Sequence, residues 1–161
     1  MFLRHGVNFE NRRPNALLNP KTEDELADAI ATADGPLSIR GGATRGFEPE
    51  GTPLSTSEMS GITLYEPGAL TIVAKAGTPV AEIDAALAAE NQTLAFEPMD
   101  HRSLLGTDGV PTIGGVVATN TSGPRRVLAG ACRAFLPGAR FVDGTGTVIK
   151  NGGRVMKHVP G

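Results

Sequence analysis

The sequence predicts one loop-rich domain of the α+β class, built from short helices and short strands. Small residues dominate, with 21 glycines and 12 prolines among 161 residues, whereas aromatic residues make up only 4%. Capped helical segments lie beside β-branched runs that end at glycine, which indicates both kinds of element. The apolar fraction of 40% is adequate for one core, because a chain of this length buries about 68–70% of its unfolded surface.

The first helix is predicted to begin after Thr22, with Thr22 as its N-cap and Glu25 as the third helical residue of a capping box. Gly35 and Pro36 end it. Apolar residues at helical spacing are expected to form its buried stripe: Leu26, Ala29, Ile30 and Ala33. We expect this helix to pack beside a short strand at Leu37–Arg40. Residues 1–19 are polar and are expected to form an arm that precedes the domain at 20–161.

Three more strands are predicted before the second helix, at Pro53–Ser55, Ile62–Tyr65 and Leu70–Ala76. Thr78 is expected to cap the second helix and Pro79 to be its first residue. Its predicted inner face is Ile83, Ala86, Leu87 and Glu90. A short strand at 93–96, a loop at 100–109 and a hairpin of 135–142 with 147–150 complete the prediction.

Two glycine-rich runs are the candidates for function. After the strand at 37–40, the run Arg40–Gly46 (RGGATRG) has three glycines, so its backbone N–H groups can wrap around an anion. Two arginines and the Thr44 hydroxyl add donors that suit a diphosphate. The second run, Pro111–Arg126 (PTIGGVVATNTSGPRR), has a glycine pair before VVATN, which is expected to start a helix with free N–H groups. The plain alternatives are a surface turn and a tight turn before a buried segment.

Together these runs resemble the FAD-binding domain of the vanillyl-alcohol-oxidase-type (PCMH-type) flavoproteins. In that family an R-G-G-x-[ST] loop wraps the FAD diphosphate, and a T-I-G-G-x-x-A-x-N-x-x-G segment follows the cofactor. The chain is most similar to one branch, the FAD-binding subunit of bacterial glycolate oxidase. Five runs carry that likeness: GITL with Glu66-Pro67, Ala76–Glu82, Leu94–Pro98, Pro111–Arg126 and Gly152–Val159.

The resemblance implies a domain of two small α/β subdomains with non-covalent FAD, because Ala43 and Thr44 stand where other members attach the flavin through histidine. The residues themselves show no nucleophile–base pair and no paired carboxylates at catalytic spacing, so the catalytic residue is not identified, and no metal site is expected. Three basic residues have no single predicted role. They either contact the flavin or a partner subunit, or are solvated surface charges: Lys157, Arg125 and Arg126. The implied cofactor contacts are Arg40, Gly41, Gly42, Ala43, Thr44, Arg45, Gly46, Pro98, Thr112, Gly114, Gly115, Thr119, Ser122 and Gly123.

The family reaction oxidises a small 2-hydroxy acid, glycolate to glyoxylate, and passes electrons through the flavin to an iron–sulfur partner. The implied partners are therefore a second flavoprotein subunit and an iron–sulfur subunit. Another FAD-dependent hydroxy-acid or alcohol oxidase of the same superfamily stays open, as does a non-catalytic assembly module. The sequence stops before the family's later flavin segments and cap domain, so we expect a domain truncated at its C-terminus and little activity alone.

Composition argues against several other classes. The net charge of −2 favours neither a nucleic acid nor an anionic membrane as partner. A single cysteine, Cys132, excludes an internal disulfide, and three scattered histidines lack metal-ligand spacing. We find neither a signal peptide nor a run of about 18 apolar residues that would span a membrane. We therefore expect a cytoplasmic protein, peripheral to the inner membrane through its complex.

Overall fold

The computed structural model describes residues 16–47 and 49–153, and it confirms the α+β class. Within those residues, no helix is both long enough and apolar enough to cross a bilayer. Two 3-10 turns, Pro67–Ala69 and Cys132–Phe135, accompany the regular elements. These are α1 (Glu23–Ala31), β1 (Leu37–Arg40), β2 (Thr52–Ser55), β3 (Ile62–Glu66), β4 (Thr71–Ala74), α2 (Val80–Ala88), α3 (Arg102–Leu105), α4 (Ile113–Ala118), α5 (Arg126–Ala129), β5 (Gly138–Val142) and β6 (Val148–Gly152).

The strands of the described ranges form three separate pairs. β1 and β2 run parallel, with Leu37 opposite Thr52, and a bridge from Leu18 to Leu54 extends this pair. β3 and β4 are antiparallel. β5 and β6 form the predicted hairpin, with Val142 opposite Val148. The parallel pair matters most for the site, because β1 leads directly into the glycine-rich run at 40–46.

A small apolar core lies between α2 and α4. Phe96, Val116 and Cys132 are buried together, and partly buried residues of both helices pack against them, among them Val80 and Ile113. Leu54 and Ile83 are almost fully buried as well. Because α4 carries the second glycine-rich run, this core fixes where that run stands.

Helix α1 is capped as predicted, since the Thr22 hydroxyl accepts a hydrogen bond from the Glu25 N–H at 3.1 Å. The Glu25 carboxylate accepts from the N–H of Lys21 at 2.7 Å, one residue earlier than a regular capping box requires. The predicted stripe of Leu26, Ala29, Ile30 and Ala33 is only half-buried, and no residue of α1 is fully buried. The helix packs mainly against β5, whereas the sequence predicted packing beside β1. An ion pair between Glu23 and Arg140 joins α1 to β5.

Thr78 does not cap α2, whose N-cap is Pro79. The Thr78 side chain is fully buried instead, accepting from the Gly61 N–H at 2.9 Å and donating to the Lys75 carbonyl at 2.7 Å. Its hydroxyl therefore holds the turn before β3 to the end of β4. On α2 itself, Ile83 and Leu87 are buried as predicted.

Three other boundaries differ from the prediction. β4 is shorter, because Leu70 adopts a left-handed conformation with φ 51° that no strand accommodates. Residues 93–96 form a turn rather than a strand: the N–H of Glu97 donates to the Leu94 carbonyl at 3.0 Å, and φ at Glu97 is 43°. The segment 100–109, predicted as loop, contains α3.

Candidate functional site

The run Arg40–Gly46, here called the glycine loop, leaves the end of β1 and turns back over α4. Two of its residues, Ala43 and Gly46, have positive φ, at 53° and 63°. Among the described residues, no protein acceptor bonds the backbone N–H groups of residues 41–46. Successive N–H groups that alternate in conformation form a concave anion site. The loop therefore has the donor set predicted for a diphosphate.

The beginning of α4 contradicts the prediction of a helix with free N–H groups. The helix starts at Ile113, three residues before VVATN, and Thr112 is its N-cap. The Ile113 N–H donates to the Thr78 carbonyl at 2.9 Å, and the Gly114 N–H donates to the Ala76 carbonyl at 2.8 Å. The Gly115 N–H reaches the Thr112 hydroxyl at 3.4 Å. Since these donors are used inside the protein, the end of α4 is not itself an anion site.

The glycines of the two runs bring two backbones into direct contact. A Cβ on Gly42 would lie 1.5 Å from the carbonyl oxygen of Val110, and one on Gly109 would lie 1.8 Å from that of Gly42. A Cβ on Gly41 would lie 2.5 Å from the Thr112 hydroxyl. These contacts confirm that the glycine loop and the TIGG segment lie together. They also show that Gly41 and Gly42 serve chain packing.

The two glycines of α4 differ in what surrounds them. A Cβ on Gly114 would meet the Cβ and carbonyl oxygen of Ala76 at 2.7 Å, so Gly114 seats the helix against the end of β4. Among residues 16–47 and 49–153, a Cβ on Gly115 would meet only the Thr112 hydroxyl, at 3.4 Å. Packing within the protein therefore explains the glycine at 114 but not the one at 115.

The polar side chains of the glycine loop point to different partners. Arg45 donates through Nη2 to the Thr121 hydroxyl. The Thr44 carbonyl accepts from the Thr107 hydroxyl at 2.8 Å, while the Thr44 hydroxyl makes no hydrogen bond within the described ranges. Arg40 lies close to Ser38, with Nε 3.5 Å from Oγ. Thr44 is thus the loop side chain best able to donate to a ligand.

The remaining predicted contacts divide into two groups. Thr119 lies at the end of α4, the helix beside the glycine loop, and its hydroxyl donates to the Gly115 carbonyl of that helix at 2.6 Å. Ser122 and Gly123 lie elsewhere: the Ser122 hydroxyl accepts from the Cys132 N–H at 2.9 Å, and a Cβ on Gly123 would lie 2.3 Å from the Glu97 carbonyl oxygen. Pro98 follows Glu97 in the chain. Within the described ranges, no hydrogen bond joins Pro98, Ser122 or Gly123 to the glycine loop.

A shallow hollow of about 330 Å³ adjoins the second group. Glu97 and Arg125 pair across it at 3.4 Å, so Arg125 has a protein partner. Burial raises the pKa of Asp84, which lies on α2 at the same hollow. The full lining is Asp84, Thr93, Leu94, Glu97, Pro98 and Arg125.

A second, wider hollow of about 520 Å³ lies at α3. There the Arg102 guanidinium hydrogen-bonds the Asp100 carboxylate, at 2.7 Å for the closest contact, and lowers the pKa of Asp100 to about 2. Asp100 is therefore an exposed, permanently charged acid at neutral pH. Lys157 lies outside the described residues, and the described ranges contain no cluster of three side chains suited to a metal.

Two residues that hold the glycine loop were missed by the sequence reasoning. Thr107 and Thr121 contact it from 63 and 76 positions further along the chain. Thr121 stands in the polar TNTS patch that the sequence singles out, but nothing distinguishes it there from Thr119 and Ser122. No sequence signal identifies Thr107.

Comparison with known proteins agrees with this geometry. The family described as "FAD binding domain" matches residues 14–152. The glycolate oxidase subunit GlcE of Escherichia coli is 38% identical over 131 residues, covering 78% of this chain and 35% of that protein. The glycolate oxidase subunit GlcD of Bacillus subtilis is 29% identical over 156 residues, covering 92% and 32%. This chain thus spans about a third of the length of these relatives.

Solved structures show the same fold. Phl p 4, a grass pollen allergen with glucose dehydrogenase activity, superposes with a TM-score of 0.67 over 84% of this chain and 28% of its own. The two sequences are 16% identical, so the likeness concerns the fold alone. The architecture that carries the glycine loop and α4 is therefore shared well beyond close relatives.

Proposed function

The chain belongs to the family of PCMH-type FAD binding domains, its cofactor is FAD, and from this premise we propose that it is the cofactor-binding part of an FAD-dependent oxidoreductase acting on a small 2-hydroxy acid. The observation that carries the proposal is the glycine loop, whose N–H groups at 41–46 have no acceptor within the described ranges. Glycolate, oxidised to glyoxylate, is the proposed substrate, since the GlcE subunit is the relative with 38% identity.

The residues present fit the diphosphate of FAD. A diphosphate accepts hydrogen bonds and donates none, so it needs a surface of donors. The glycine loop offers backbone N–H groups and the Thr44 hydroxyl, whereas the donors at the start of α4 are already used by Thr78, Ala76 and Thr112. We therefore assign the diphosphate to the glycine loop rather than to the helix end.

Gly115 supplies a second argument for the cofactor's position. Packing against the part of the chain that the structure describes does not require a glycine there, because an added Cβ would meet only the Thr112 hydroxyl at 3.4 Å. Glycine inside a helix costs roughly 0.5–1 kcal/mol relative to alanine. A ligand that passes close to the helix at this position would explain why glycine stands there despite that cost. We propose that FAD passes over α4 at this residue.

When bound, FAD would supply the two-electron oxidation of the substrate, and the glycine loop and α4 would hold and orient it. The buried core of Phe96, Val116 and Cys132 holds α4 rigidly beneath the glycine loop. We propose that FAD is held without a covalent bond, because Ala43 and Thr44 offer no attachment point. The proposed partners are a second flavoprotein subunit and an iron–sulfur subunit, in a cytoplasmic complex peripheral to the inner membrane.

A second candidate function is an assembly module of such a complex. The observation in its favour is α5, where Val127 and Leu128 are 87% and 93% exposed beside Arg125 and Arg126. Exposed apolar side chains of this kind often mark contact surfaces. This candidate needs no bound flavin.

Titration of the purified chain with FAD, followed by flavin fluorescence and absorption, tests the first function. We expect saturable binding that ADP competes with and riboflavin does not, because ADP carries the diphosphate. Acid should release the flavin intact. Gly115→Ala should raise the unfolding midpoint slightly, because alanine is the better helix former, and should weaken FAD binding about tenfold or more, the effect of a lost close approach worth about 1.4 kcal/mol.

Gly35→Ala is the matched control, since no described residue lies within 4 Å of an added Cβ there. It should leave both stability and FAD affinity unchanged. A folded chain that binds no FAD would contradict the proposed site. Binding of the partner subunits by such a colourless chain would establish the assembly module instead.

A further inference from the structure

Three side chains form a continuous line of hydrogen bonds from the glycine loop to α4. The Arg45 guanidinium donates to the Thr121 hydroxyl, the Thr121 and Thr119 hydroxyl oxygens are 2.8 Å apart, and the Thr119 hydroxyl lies 2.6 Å from the Gly115 carbonyl oxygen. Thr121 is only 7% exposed, so little solvent competes for its hydroxyl. The line crosses from one candidate run to the other.

The number of available protons determines which group donates and which accepts in each hydrogen bond of this line. A carbonyl oxygen only accepts, so the Thr119 hydroxyl proton goes to Gly115. The contact between the two threonines must then use the Thr121 proton, and Thr121 accepts from Arg45. Neither hydroxyl has a proton left to give. Because a phosphate oxygen needs a donor, neither threonine can donate to a diphosphate while the line is intact.

We propose that Arg45, Thr121 and Thr119 are positioning residues that lock the glycine loop onto α4, and that Arg45 supports FAD binding through Thr121 rather than by contacting the diphosphate. The inference rests on the proposed function and revises the expected roles of Arg45 and Thr119 as cofactor ligands. Loss of any one of these hydrogen bonds lets the glycine loop move. Its backbone N–H donors are then no longer held in a fixed arrangement toward the cofactor, which weakens binding.

A double-mutant cycle on FAD affinity tests the line. Arg45→Met removes the donors but keeps the length, and Thr121→Val keeps the shape but removes the hydroxyl. Each should weaken FAD binding about fivefold to tenfold, as expected for the loss of one typical hydrogen bond that supports the site indirectly. The double variant should bind no more weakly than the worse single variant, and Thr121→Ser should stay within about twofold of wild type. Multiplicative losses in the double variant would overturn the proposal.

Salt dependence of ADP binding gives an independent readout, because exposed ionic contacts are screened by salt. If Arg45 acts through Thr121, Arg45→Met lowers ADP affinity without changing its dependence on sodium chloride. A clearly flatter dependence in Arg45→Met would mean that Arg45 contacts the diphosphate, and would overturn the assignment.

The same cycle, read from urea unfolding midpoints without FAD, separates this inference from the proposed function. Coupling between Arg45→Met and Thr121→Val should appear there even if wild type binds no FAD. Additive effects on unfolding would refute the line itself. Should Thr121→Val fail to fold, Thr119→Val at the exposed second link carries the same prediction, with Thr119→Ser as the rescuing control.

Discussion

The carbonyl oxygen of Val110 occupies the space that a side chain on Gly42 would need. An added Cβ would lie 1.5 Å from that oxygen, and the neighbouring backbone offers no relief, since the carbonyl carbon of Val110 would be 2.5 Å away. The obstacle is backbone rather than a movable side chain. Position 42 therefore tolerates only glycine while the loop and the 109–112 segment keep their contact.

Gly42→Ala should lower the free energy of unfolding by about 3 kcal/mol, the upper range for overpacking, because two backbones must separate. Gly35→Ala, where no described residue lies within 4 Å of the added Cβ, should change it by less than about 0.5 kcal/mol. Urea unfolding followed by circular dichroism measures both. Equal stability of the two variants would show that the loops do not touch as described.

The buried hydroxyl of Thr78 should be worth more than its size suggests. Thr78→Val keeps the shape but leaves the Gly61 N–H without its acceptor, while the Lys75 carbonyl loses the hydroxyl donor and keeps only the N–H of residue 78 at 3.1 Å. We expect a loss of about 1–3 kcal/mol in the free energy of unfolding, the cost of unpaired buried polar groups. The control is Thr63→Val, whose exposed hydroxyl bonds the Val73 carbonyl at 3.3 Å, and which should cost less than about 0.5 kcal/mol. Similar losses for both would refute the role of Thr78.

Asp100 should titrate with a pKa of about 2, because the Arg102 guanidinium favours its charged form. Its folded pKa lies below the unfolded value of about 3.9, so its stabilising effect is complete above about pH 4 and is lost as the pH falls toward 2. Carbon-detected NMR of the carboxyl group measures this directly. In Arg102→Gln the pKa should return toward about 3.9. An unchanged pKa in that variant would mean that Arg102 is not the cause.

Cys132 should resist thiol reagents in the folded protein. Burial raises its pKa, and only the thiolate reacts. We expect labelling by an aromatic disulfide reagent to be slow at neutral pH, to accelerate beyond about pH 8.5, and to be rapid in urea. Because it is the single cysteine of the chain, the signal has one source. Fast labelling of the native protein at pH 7 would contradict the buried position.

The sequence predicted the helices and strands well where neighbouring residues in the chain determine the element. The cap of α1 at Thr22, the strand at 37–40 and the hairpin of β5 and β6 depend on residues that are neighbours in sequence. The same reasoning failed at Thr78, which has the residue type of a cap but finds better partners at Gly61 and Lys75 in the interior. Tertiary contacts overrode the local preference.

The site was predictable in its parts but not in its connections. The family resemblance assigned both the glycine loop and the TIGG segment to the cofactor, and the packing of Gly42 against Val110 shows that the two runs lie side by side. The donors at the start of α4 were expected to be free, yet Ala76 and Thr78 accept two of them. Those acceptors are backbone carbonyls, which no side-chain pattern reveals. For the same reason the support from Thr107 stayed hidden.

The distance along the chain between the glycine loop and its supports also bears on how the protein is made. Thr107 and Thr121 are separated from their loop partners by 63 and 76 residues, and closing such long loops is entropically slow. During synthesis the loop leaves the ribosome well before either threonine exists. A nascent chain shorter than about residue 121 thus displays the loop without the residues that support it, and the proposed flavin site is complete only once the later segment has been made.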